Sequence, residues 1–371
     1  MAEAGNGLRV AIDATPAMKA EPSGVASYVR HLVQAMPQVA LPDDRFVLGY
    51  RLSRWGRRAH RIPLPGPQFA QHWMQGGFHP LGQRVAHGPD GRLFEMGSAG
   101  RVVTLHDVFA LEEGAEGTED WRRKMAERYK EVAARADLVL CVSAWTRNRF
   151  LNHHPEVDVK RVRVVPPGVS PAFSPEAGKD VPTVRKTFDI EGPYALFLGA
   201  LNRRKNPGVL LDAWTRLPEE AGGLVLAGPD GGLFQPLLEH AQELGLGGRV
   251  QLIGHVDGAY VPALVAGATC LVLPSRMEGF GLPALEALAC GTPVVHSGRG
   301  GLREAAGMQG IEVDPDDPEA IAAAVLQTID DMAARDRMVE GGLEYARRFP
   351  WEATARLTLQ AYREVQHTGV R

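Results

Sequence analysis

The stretch Ser275–Val295, SRMEGFGLPALEALACGTPVV, carries two glutamates, Glu278 and Glu286, around a glycine-rich turn and a proline. It joins two short apolar runs, CLVLP and TPVV, which are typical of buried strands. Carboxylates are rarely buried without a partner, so two of them beside apolar runs need an explanation. The stretch therefore indicates both a fold, with strands joined through a helix, and a candidate binding site.

A short helix is predicted inside this stretch. Pro283 suits a first helical turn, because proline lacks the N–H that this turn leaves unpaired, and the helix would end near Cys290, before Gly291. The amides at its start favour an anion, most often phosphate. Gly279 and Gly281 would let a ligand approach the backbone closely.

The two glutamates would repel a phosphate, so hydroxyl groups are their natural partners. Hydroxyls on both sides of a phosphate describe a nucleotide sugar, with its ribose, diphosphate and hexose. The basic residues Arg204 and Lys205 follow another predicted strand and would supply the countercharge for the diphosphate. Taken alone, each of these side chains could equally be a solvated surface charge.

Strand-like runs alternate with helical stretches along nearly the whole chain of 371 residues. This alternation predicts an α/β fold of two Rossmann-like, doubly wound parallel-sheet domains facing across a cleft. The runs are LRVAI, RVVTL, LVLCVS, RVRVV, YALFLG, LVLAG, VQLIG, CLVLP and TPVV. We predict domains at residues 1–175 and 176–350, with a Pro- and Gly-rich linker from Val165 to about Pro193 and a final helix, 351–371, that packs back on the first domain.

Composition excludes several classes of protein. The net charge of −3 argues against nucleic acid as a partner, and no apolar run reaches the length of a membrane span. The three cysteines form no CxxC pair, so they indicate reduced core residues and a cytoplasmic location. No GxGxxG follows the first strand, which disfavours a Rossmann oxidoreductase.

The chain resembles the retaining glycosyltransferases of family 4, which have the GT-B fold. The most specific match is Glu278-GFGLPAL-Glu286, the glutamate–seven residues–glutamate motif of that family. Further segments match in order: VTLHD, VSAWTRNRF, VPPGVSPAF, LFLGALNRRKNP and VQLIGHV. The resemblance covers nearly the whole chain and implies transfer of a hexose, mannose or glucose, from a GDP- or UDP-sugar to a glycan or lipid-linked acceptor.

The resemblance also implies roles for individual residues. Catalytic roles fall on Arg204, Lys205, Glu278 and His106. Donor-binding roles fall on Gly24, Ser143, Gly199, His255, Val256, Gly279, Phe280, Gly281, Leu282 and Glu286. No cofactor and no metal are implied, and the leaving phosphate itself would take the proton of the acceptor. From the residues alone, His106 could be structural and Ser143 could be a helix N-cap.

Two departures from the family pattern leave questions open. The turn before the first long helix, often Gly-Gly in the family, is Ser23-Gly24 here. Ala200 replaces an arginine that commonly follows the glycine, so Arg203 and Arg204 compete for its role at the diphosphate. A nucleotide-sugar epimerase of the same fold and a non-catalytic nucleotide-sugar sensor are alternative functions.

A basic segment near residue 55 is a separate feature. Its members could dock on anionic lipid as a peripheral contact at the cytoplasmic membrane face, or form a solvated surface. They are Arg51, Arg54, Trp55, Arg57, Arg58 and Arg61.

Overall fold

The computed structural model describes residues 7–19, 24–75, 82–112 and 115–368. It divides into two compact units, one formed by Met1–Gly168 with Pro350–Arg371 and the other by Val169–Phe349. Each unit is built on a parallel β-sheet whose strands are joined by helices. The predicted fold class, two doubly wound α/β units, is therefore confirmed.

In the described part of the first unit, the sheet has seven strands in the order β3-β2-β1-β4-β5-β6-β7. The strands are β1 (Arg9–Asp13), β2 (Arg45–Arg51), β3 (Phe69–Met74), β4 (Val85–Gly88), β5 (Gly100–Leu105), β6 (Leu138–Cys141) and β7 (Val162–Val164). Three α-helices connect these strands in the described residues: α1 (Gly24–Ala35), α2 (Glu119–Arg135) and α3 (Ala144–His153). Short 3-10 helices lie at Thr15–Met18, Met36–Gln38, Leu52–His60, Phe109–Leu111 and Val159–Arg161.

The sheet of the second unit has the order β10-β9-β8-β11-β12-β13. Its strands are β8 (Tyr194–Leu198), β9 (Gly223–Ala227), β10 (Val250–Gly254), β11 (Leu271–Leu273), β12 (Val294–His296) and β13 (Ile311–Glu312). The helices are α4 (Val181–Phe188), α5 (Gly208–Trp214), α6 (Phe234–Glu243), α7 (Val261–Ala266), α8 (Leu282–Cys290), α9 (Leu302–Ala306), α10 (Pro318–Asp330) and α11 (Met332–Ala346). Two 3-10 helices lie at Pro175–Asp180 and Glu219–Ala221. Apolar side chains of β8, α5 and α10 contribute to a buried core that includes Trp214.

Both sheets grow in opposite directions from a central pair of strands. In the first sheet the pair is β1 and β4, and in the second it is β8 and β11. The loops that leave the two strands of such a pair turn to opposite faces of the sheet, which opens a crevice at their carboxyl ends. The fold therefore provides one ligand-binding edge in each unit.

The last helix, α12 (Trp351–Thr368), belongs to the first unit. The hydroxyl of Tyr362 lies 2.6 Å from Nδ1 of the buried His87 on β4. Gln366 accepts a hydrogen bond of 3.0 Å from the amide of Arg9 at the start of β1. These contacts tie the end of the chain to the centre of the first sheet.

Four strands were not predicted from the sequence: β2, β3, β4 and β13. β3 is an edge strand of the described sheet, and most of its middle residues are only half-buried, so it shows no apolar run. β4 contains His87, which is buried because Thr104 on β5 and Tyr362 supply hydrogen-bond partners. Such partners are far away in sequence, so the pattern of residues alone could not reveal these strands.

The predicted linker was wrong in part. Residues 181–188 of that stretch form α4, in which Val184 is fully buried. Pro182 lies in its first turn, where proline is tolerated, and Asp189 ends it in a left-handed conformation with φ 53°. A helix this short spans barely two turns, so its apolar periodicity is too brief to recognise among prolines and glycines.

Candidate active site

The loops that follow β8 and β11 meet at the central strand pair of the second sheet. The β8 loop carries Arg204 and Lys205, and the β11 loop carries Ser275 and Glu278. The two loops are joined by a backbone hydrogen bond of 2.8 Å, from the amide of Arg276 to the carbonyl of Arg204. The sequence-predicted cationic and acidic residues are thus brought together at the edge where a ligand is expected.

Glu278 lies at the centre of a charged cluster. Its carboxylate accepts hydrogen bonds from Lys205 Nζ and, at 2.7 Å, from Ser275 Oγ. Arg204 Nη1 lies 3.4 Å from Oε2 of Glu278 and donates a shorter bond of 2.7 Å to the carbonyl of Met277. Burial would raise the pKa of Glu278, but the charges of Lys205 and Arg204 outweigh it and lower the pKa below its usual value. Glu278 is therefore an ionised, positioned hydrogen-bond acceptor.

Two glycines hold the backbone of Glu278 in place. The amide of Gly301 donates a 2.8 Å hydrogen bond to the carbonyl of Glu278. Gly300 has φ +67°, and a Cβ atom there would lie only 2.1 Å from the same carbonyl oxygen. Glycine is required at position 300 because no side chain fits this close approach. Ser275, Gly300 and Gly301 were not assigned roles from the sequence, since they act through Glu278 and not through a recognisable motif.

The glycine-rich turn leads directly into α8. Gly281 takes a left-handed conformation, φ 105°, at the N-cap, and Pro283 lies in the first turn. Gly291 ends the helix, again in a left-handed conformation with φ 75°. The predicted short helix between Pro283 and Gly291 is therefore confirmed to within one residue. First-turn amides of a helix have no intrahelical partner, so this end of α8 can accept a phosphate or a hydroxyl.

Glu286 differs from Glu278 in its surroundings. It is half-buried on α8, and no ion pair or hydrogen bond to its carboxylate occurs within the described residues. Burial raises its pKa to about 7. A half-buried carboxylate without a partner is costly to keep ionised, and a ligand hydroxyl would relieve this cost by donating a hydrogen bond.

The neighbouring arginines of the β8 loop are not equivalent. Arg204 is half-buried and contacts the β11 loop, whereas Arg203 is exposed. Asn202 accepts a 3.0 Å hydrogen bond from the amide of Lys205, and this turn places Lys205 near Glu278. Gly199 begins the loop and pairs through its amide with the carbonyl of Ala227 at 2.9 Å. The geometry thus favours Arg204 over Arg203 as the cation of the cluster.

His255 and Val256 follow β10, the edge strand of this sheet. His255 is exposed and Val256 is buried, after Gly254 in a left-handed conformation with φ 69°. β9 separates β10 from β8, so the structure does not bring these two residues into the charged cluster. Phe280 and Leu282, by contrast, lie in the turn and first helical position next to Glu278.

The predicted residues of the first unit lie at the ends of its own strands and helices. His106 follows β5, and its Nε2 lies 2.8 Å from the carbonyl of Pro89. Burial lowers the pKa of His106, which favours the neutral imidazole. Ser143 is the N-cap of α3 and accepts a 3.0 Å bond from the amide of Thr146, which is the structural role that its position permitted. Gly24 begins α1 with open space where a Cβ would lie; Ser23 is outside the described residues.

Comparisons with known proteins identify the family of this chain. A model of the family described as Glycosyl transferases group 1 matches residues 183–345, and one described as Glycosyltransferase Family 4 matches residues 22–173. The chain is 32% identical to O-antigen chain mannosyltransferase B of Escherichia coli, over 71% of its own length and 70% of that protein. It is 35% identical to D-inositol 3-phosphate glycosyltransferase of a Nocardioides species, over 64% of its own length and little more than half, 56%, of that protein.

Solved structures share the fold. Sucrose-phosphate synthase of Thermosynechococcus elongatus aligns with a TM-score of 0.74 at 23% identity, over 98% of this chain and 100% of the other. Anabaena HepE in complex with UDP and glucose aligns with a TM-score of 0.73 at 18% identity, over 95% and 99%. These likenesses show a two-unit fold of the GT-B type. The chain belongs to the group 1 glycosyltransferases of glycosyltransferase family 4.

Proposed function

We propose that this chain is a retaining hexosyltransferase that moves a sugar from a nucleotide diphosphate donor to a glycan or lipid-linked acceptor. The observation that carries the proposal is the cluster of Glu278, Lys205 and Arg204 between the β8 and β11 loops. It combines an ionised acceptor for sugar hydroxyls with two cations for a diphosphate. In this proposal the second unit binds the donor and the first unit binds the acceptor.

The chemical step separates charge between the anomeric carbon and the leaving diphosphate. As the carbon–oxygen bond breaks, negative charge collects on the phosphate, and fixed cations aimed at it lower the barrier. An ammonium group has three N–H donors, so Lys205 can hold Glu278 and a phosphate oxygen together. The acceptor hydroxyl attacks the face that the phosphate leaves, and its proton passes to the departing phosphate. In this proposal, the bonds and protons of the transfer step balance without a protein nucleophile and without a metal.

Glu286 completes the proposed donor site by accepting hydrogen bonds from the ribose hydroxyls. Its half-buried carboxylate lacks a partner in the described structure, and hydroxyl donors favour its ionised form. The donor-binding roles of Gly24, Ser143, His255 and Val256 and the catalytic role of His106 remain predictions. For the donor itself we propose GDP-mannose, with UDP-glucose as the alternative. The first choice is supported by the mannosyltransferase name of the Escherichia coli relative.

The proposal is tested by calorimetric titration of UDP-, GDP- and ADP-sugars into the protein, with and without EDTA. We expect one nucleotide series to bind in both conditions and Glu286→Gln to weaken its binding. Binding that requires a metal would contradict metal independence, and binding unchanged in the variant would contradict the role of Glu286. Conversion of the donor to an epimer without acceptor would identify an epimerase instead.

The basic segment is proposed to make a peripheral membrane contact. In the described residues no helix is long and apolar enough to cross a membrane. Residues 52–60 form a 3-10 helical segment with Trp55 48% exposed and Arg58 stacked 5.6 Å from its ring centroid. Arg54 and Arg57 are also exposed, whereas Arg51 pairs with Asp13. In sedimentation with phosphatidylglycerol vesicles, the fraction of protein bound to the vesicles should be lower for Trp55→Ala than for the wild type. An unchanged bound fraction would indicate a solvated surface instead.

A further inference from the structure

The first unit has its own crevice, at the central pair of strands β1 and β4. Asp13 is the last residue of β1, Arg51 is the last residue of β2, and Asp90 follows β4 by two residues. A cavity of about 570 Å³ is lined by Arg51 at the end of β2, by Arg92 in the loop after β4 and by Arg128 on α2. Asp13 and Asp90 do not line it, but they adjoin it as the ion-pair partners of Arg51 and Arg92. The cavity thus occupies the position in this sheet where the fold favours a ligand.

Three guanidinium groups line this cavity, and one has no carboxylate partner. Arg51 Nη2 lies 2.9 Å from Asp13 Oδ2, and Arg92 Nε lies 3.3 Å from Asp90 Oδ2. Arg128 on α2 makes no ion pair with any residue that the structure describes. Its pKa is lowered by burial and then by the positive charge of Arg92 nearby. The inner part of the cavity therefore holds one more guanidinium than its carboxylates neutralise.

Asp90 supplies a second, independent indication of a ligand. Its Oδ1 atom is buried and has no hydrogen-bond donor among the described residues. Burial raises the pKa of Asp90, and the charge of Asp13 adds to this effect. Buried polar atoms normally have a partner, and the other oxygen of Asp90 pairs with Arg92, which lines the cavity. The orphan oxygen therefore calls for a donor such as a hydroxyl.

The rim of the cavity is mixed in charge. Glu95 and Glu131 share one guanidinium, that of Arg135, so one of the two carboxylate charges stays uncompensated. Lys124 pairs with Asp120, and these two charges cancel. Glu127 is exposed and adds one carboxylate at the edge. A rim of this kind disfavours a long polyanion, and it suits a small ligand with one anionic group and several hydroxyls.

We propose that this cavity recognises the acceptor through a phosphate, and that the acceptor is a phosphorylated sugar or polyol. Arg128, Arg51 and Arg92 hold the phosphate oxygens, since guanidinium groups match phosphate in charge and geometry. Asp90 accepts a hydrogen bond from a neighbouring hydroxyl. This inference rests on the proposed function and narrows its acceptor. A lipid-linked acceptor would present the phosphate in its headgroup, and a soluble sugar phosphate would replace the glycan of that proposal.

The test uses glucose 6-phosphate as the probe and glucose as its uncharged match, titrated by calorimetry into the full chain. We expect glucose 6-phosphate to bind and glucose not to bind. Arg128→Met should weaken binding by at least about tenfold, because a hydrogen-bonded charge is lost. Arg122→Met is the matched control: it removes an exposed arginine of the same helix and should leave binding unchanged.

The same samples are titrated with the nucleotide sugar, which separates this inference from the proposed function. If the donor binds but glucose 6-phosphate does not, or binds Arg128→Met equally well, the acceptor site is wrong and the transferase proposal stands. If the donor does not bind, the transferase proposal fails first. The phosphate could come from a soluble sugar phosphate or from a lipid headgroup. Vesicle binding is therefore compared in the Trp55→Ala background, which removes the proposed contact of the basic segment. A further loss of phosphatidylglycerol vesicle binding on adding Arg128→Met would assign the lipid source, and no further loss would assign the soluble one.

Discussion

The two central strand pairs of this molecule carry opposite arrangements of charge. In the second unit, one ionised carboxylate, Glu278, is held by Lys205, Arg204 and a serine hydroxyl. In the first unit, Asp13 and Asp90 pair with two of three neighbouring guanidinium groups and leave the third without a carboxylate partner in the described structure. One oxygen of Asp90 also has no hydrogen-bond donor there. The Glu278 cluster has its charges paired before a ligand arrives, whereas the guanidinium cluster of the first unit does not. Charged side chains that are already paired are held in place, which suits groups that must be positioned for a chemical step. Charged or polar side chains without a partner gain one from a ligand, which suits ligand binding.

The largest expected effect, on both transfer rate and stability, comes from disrupting the cluster of Glu278, Lys205 and Arg204. Glu278→Gln keeps the side-chain volume but removes the charge that balances Lys205 and Arg204. We expect transfer to fall by about 100- to 1,000-fold and the free energy of unfolding to fall by about 3 kcal/mol. Steady-state kinetics and chemical denaturation measure the two quantities.

The control for this variant is Glu344→Gln on α11, which removes an exposed carboxylate 3.4 Å from Arg348. It should change neither quantity appreciably, because exposed ion pairs contribute little. Equal losses in the two variants would show that Glu278 is an ordinary charged residue.

The next largest effect is expected on kcat, in a comparison of the adjacent residues Arg203 and Arg204. Arg204→Met removes the cation that contacts the β11 loop, whereas Arg203→Met removes an exposed one. We expect kcat to fall by about 100-fold or more in the first and to stay within about threefold in the second. A larger loss in Arg203→Met would transfer the diphosphate role to that residue.

A pH-dependent effect is expected at Glu286, whose pKa burial raises to about 7. Hydroxyl donors favour the carboxylate, so donor affinity should rise as the pH passes upward through that value. Nucleotide sugars have no ionisation of their own near this pH at the diphosphate. Glu286→Gln should weaken donor binding about tenfold at pH 8 and remove the pH dependence. Calorimetry between pH 6 and 8, roughly one unit either side of that pKa, measures it.

Stability should change in the opposite direction at the same residue. Because the pKa of Glu286 is higher in the folded chain than in the unfolded chain, its favourable contribution is complete below the unfolded value. It is lost as the pH rises through the folded value. Glu286→Gln should therefore unfold at a higher temperature than the wild type at pH 8, without ligand. A variant that is both less stable and unaffected in donor binding would mark Glu286 as a structural residue.

The smallest effect is expected at Ser143, which caps α3. Ser143→Ala should lower the free energy of unfolding by about 1 kcal/mol, and Ser143→Asn should restore it, because asparagine also caps helices. If capping is the whole role of Ser143, donor affinity should remain unchanged in both variants. Lost affinity in a fully stable Ser143→Asn would instead support a contact with donor phosphate.

The site of the second unit was accessible from the sequence because its parts are local. Glu278, the turn glycines and Pro283 lie in one stretch, and each has a physical reason for its place. Their partner Lys205 follows a strand, so the expected meeting of strand ends was enough to bring it near. The fold class followed from the same alternation of apolar runs and helices.

The site of the first unit could not be recognised in this way. Arg51, Arg92 and Arg128 come from three separate segments and share no motif. Two of the strands that position them, β2 and β4, were themselves missed, because buried polar residues and glycine interrupt their apolar pattern. An isolated arginine in sequence is most often a solvated surface charge, so only the folded sheet shows what these residues have in common.

The most direct test of this account is a titration of two ligands into two variants. Arg204→Met and Arg128→Met are each titrated with the nucleotide sugar and with glucose 6-phosphate. We predict that Arg204→Met weakens only the nucleotide sugar and that Arg128→Met weakens only glucose 6-phosphate. If Arg128→Met weakens the nucleotide sugar as strongly as Arg204→Met does, or if Arg204→Met leaves it unchanged, the division of donor and acceptor between the two strand pairs is contradicted.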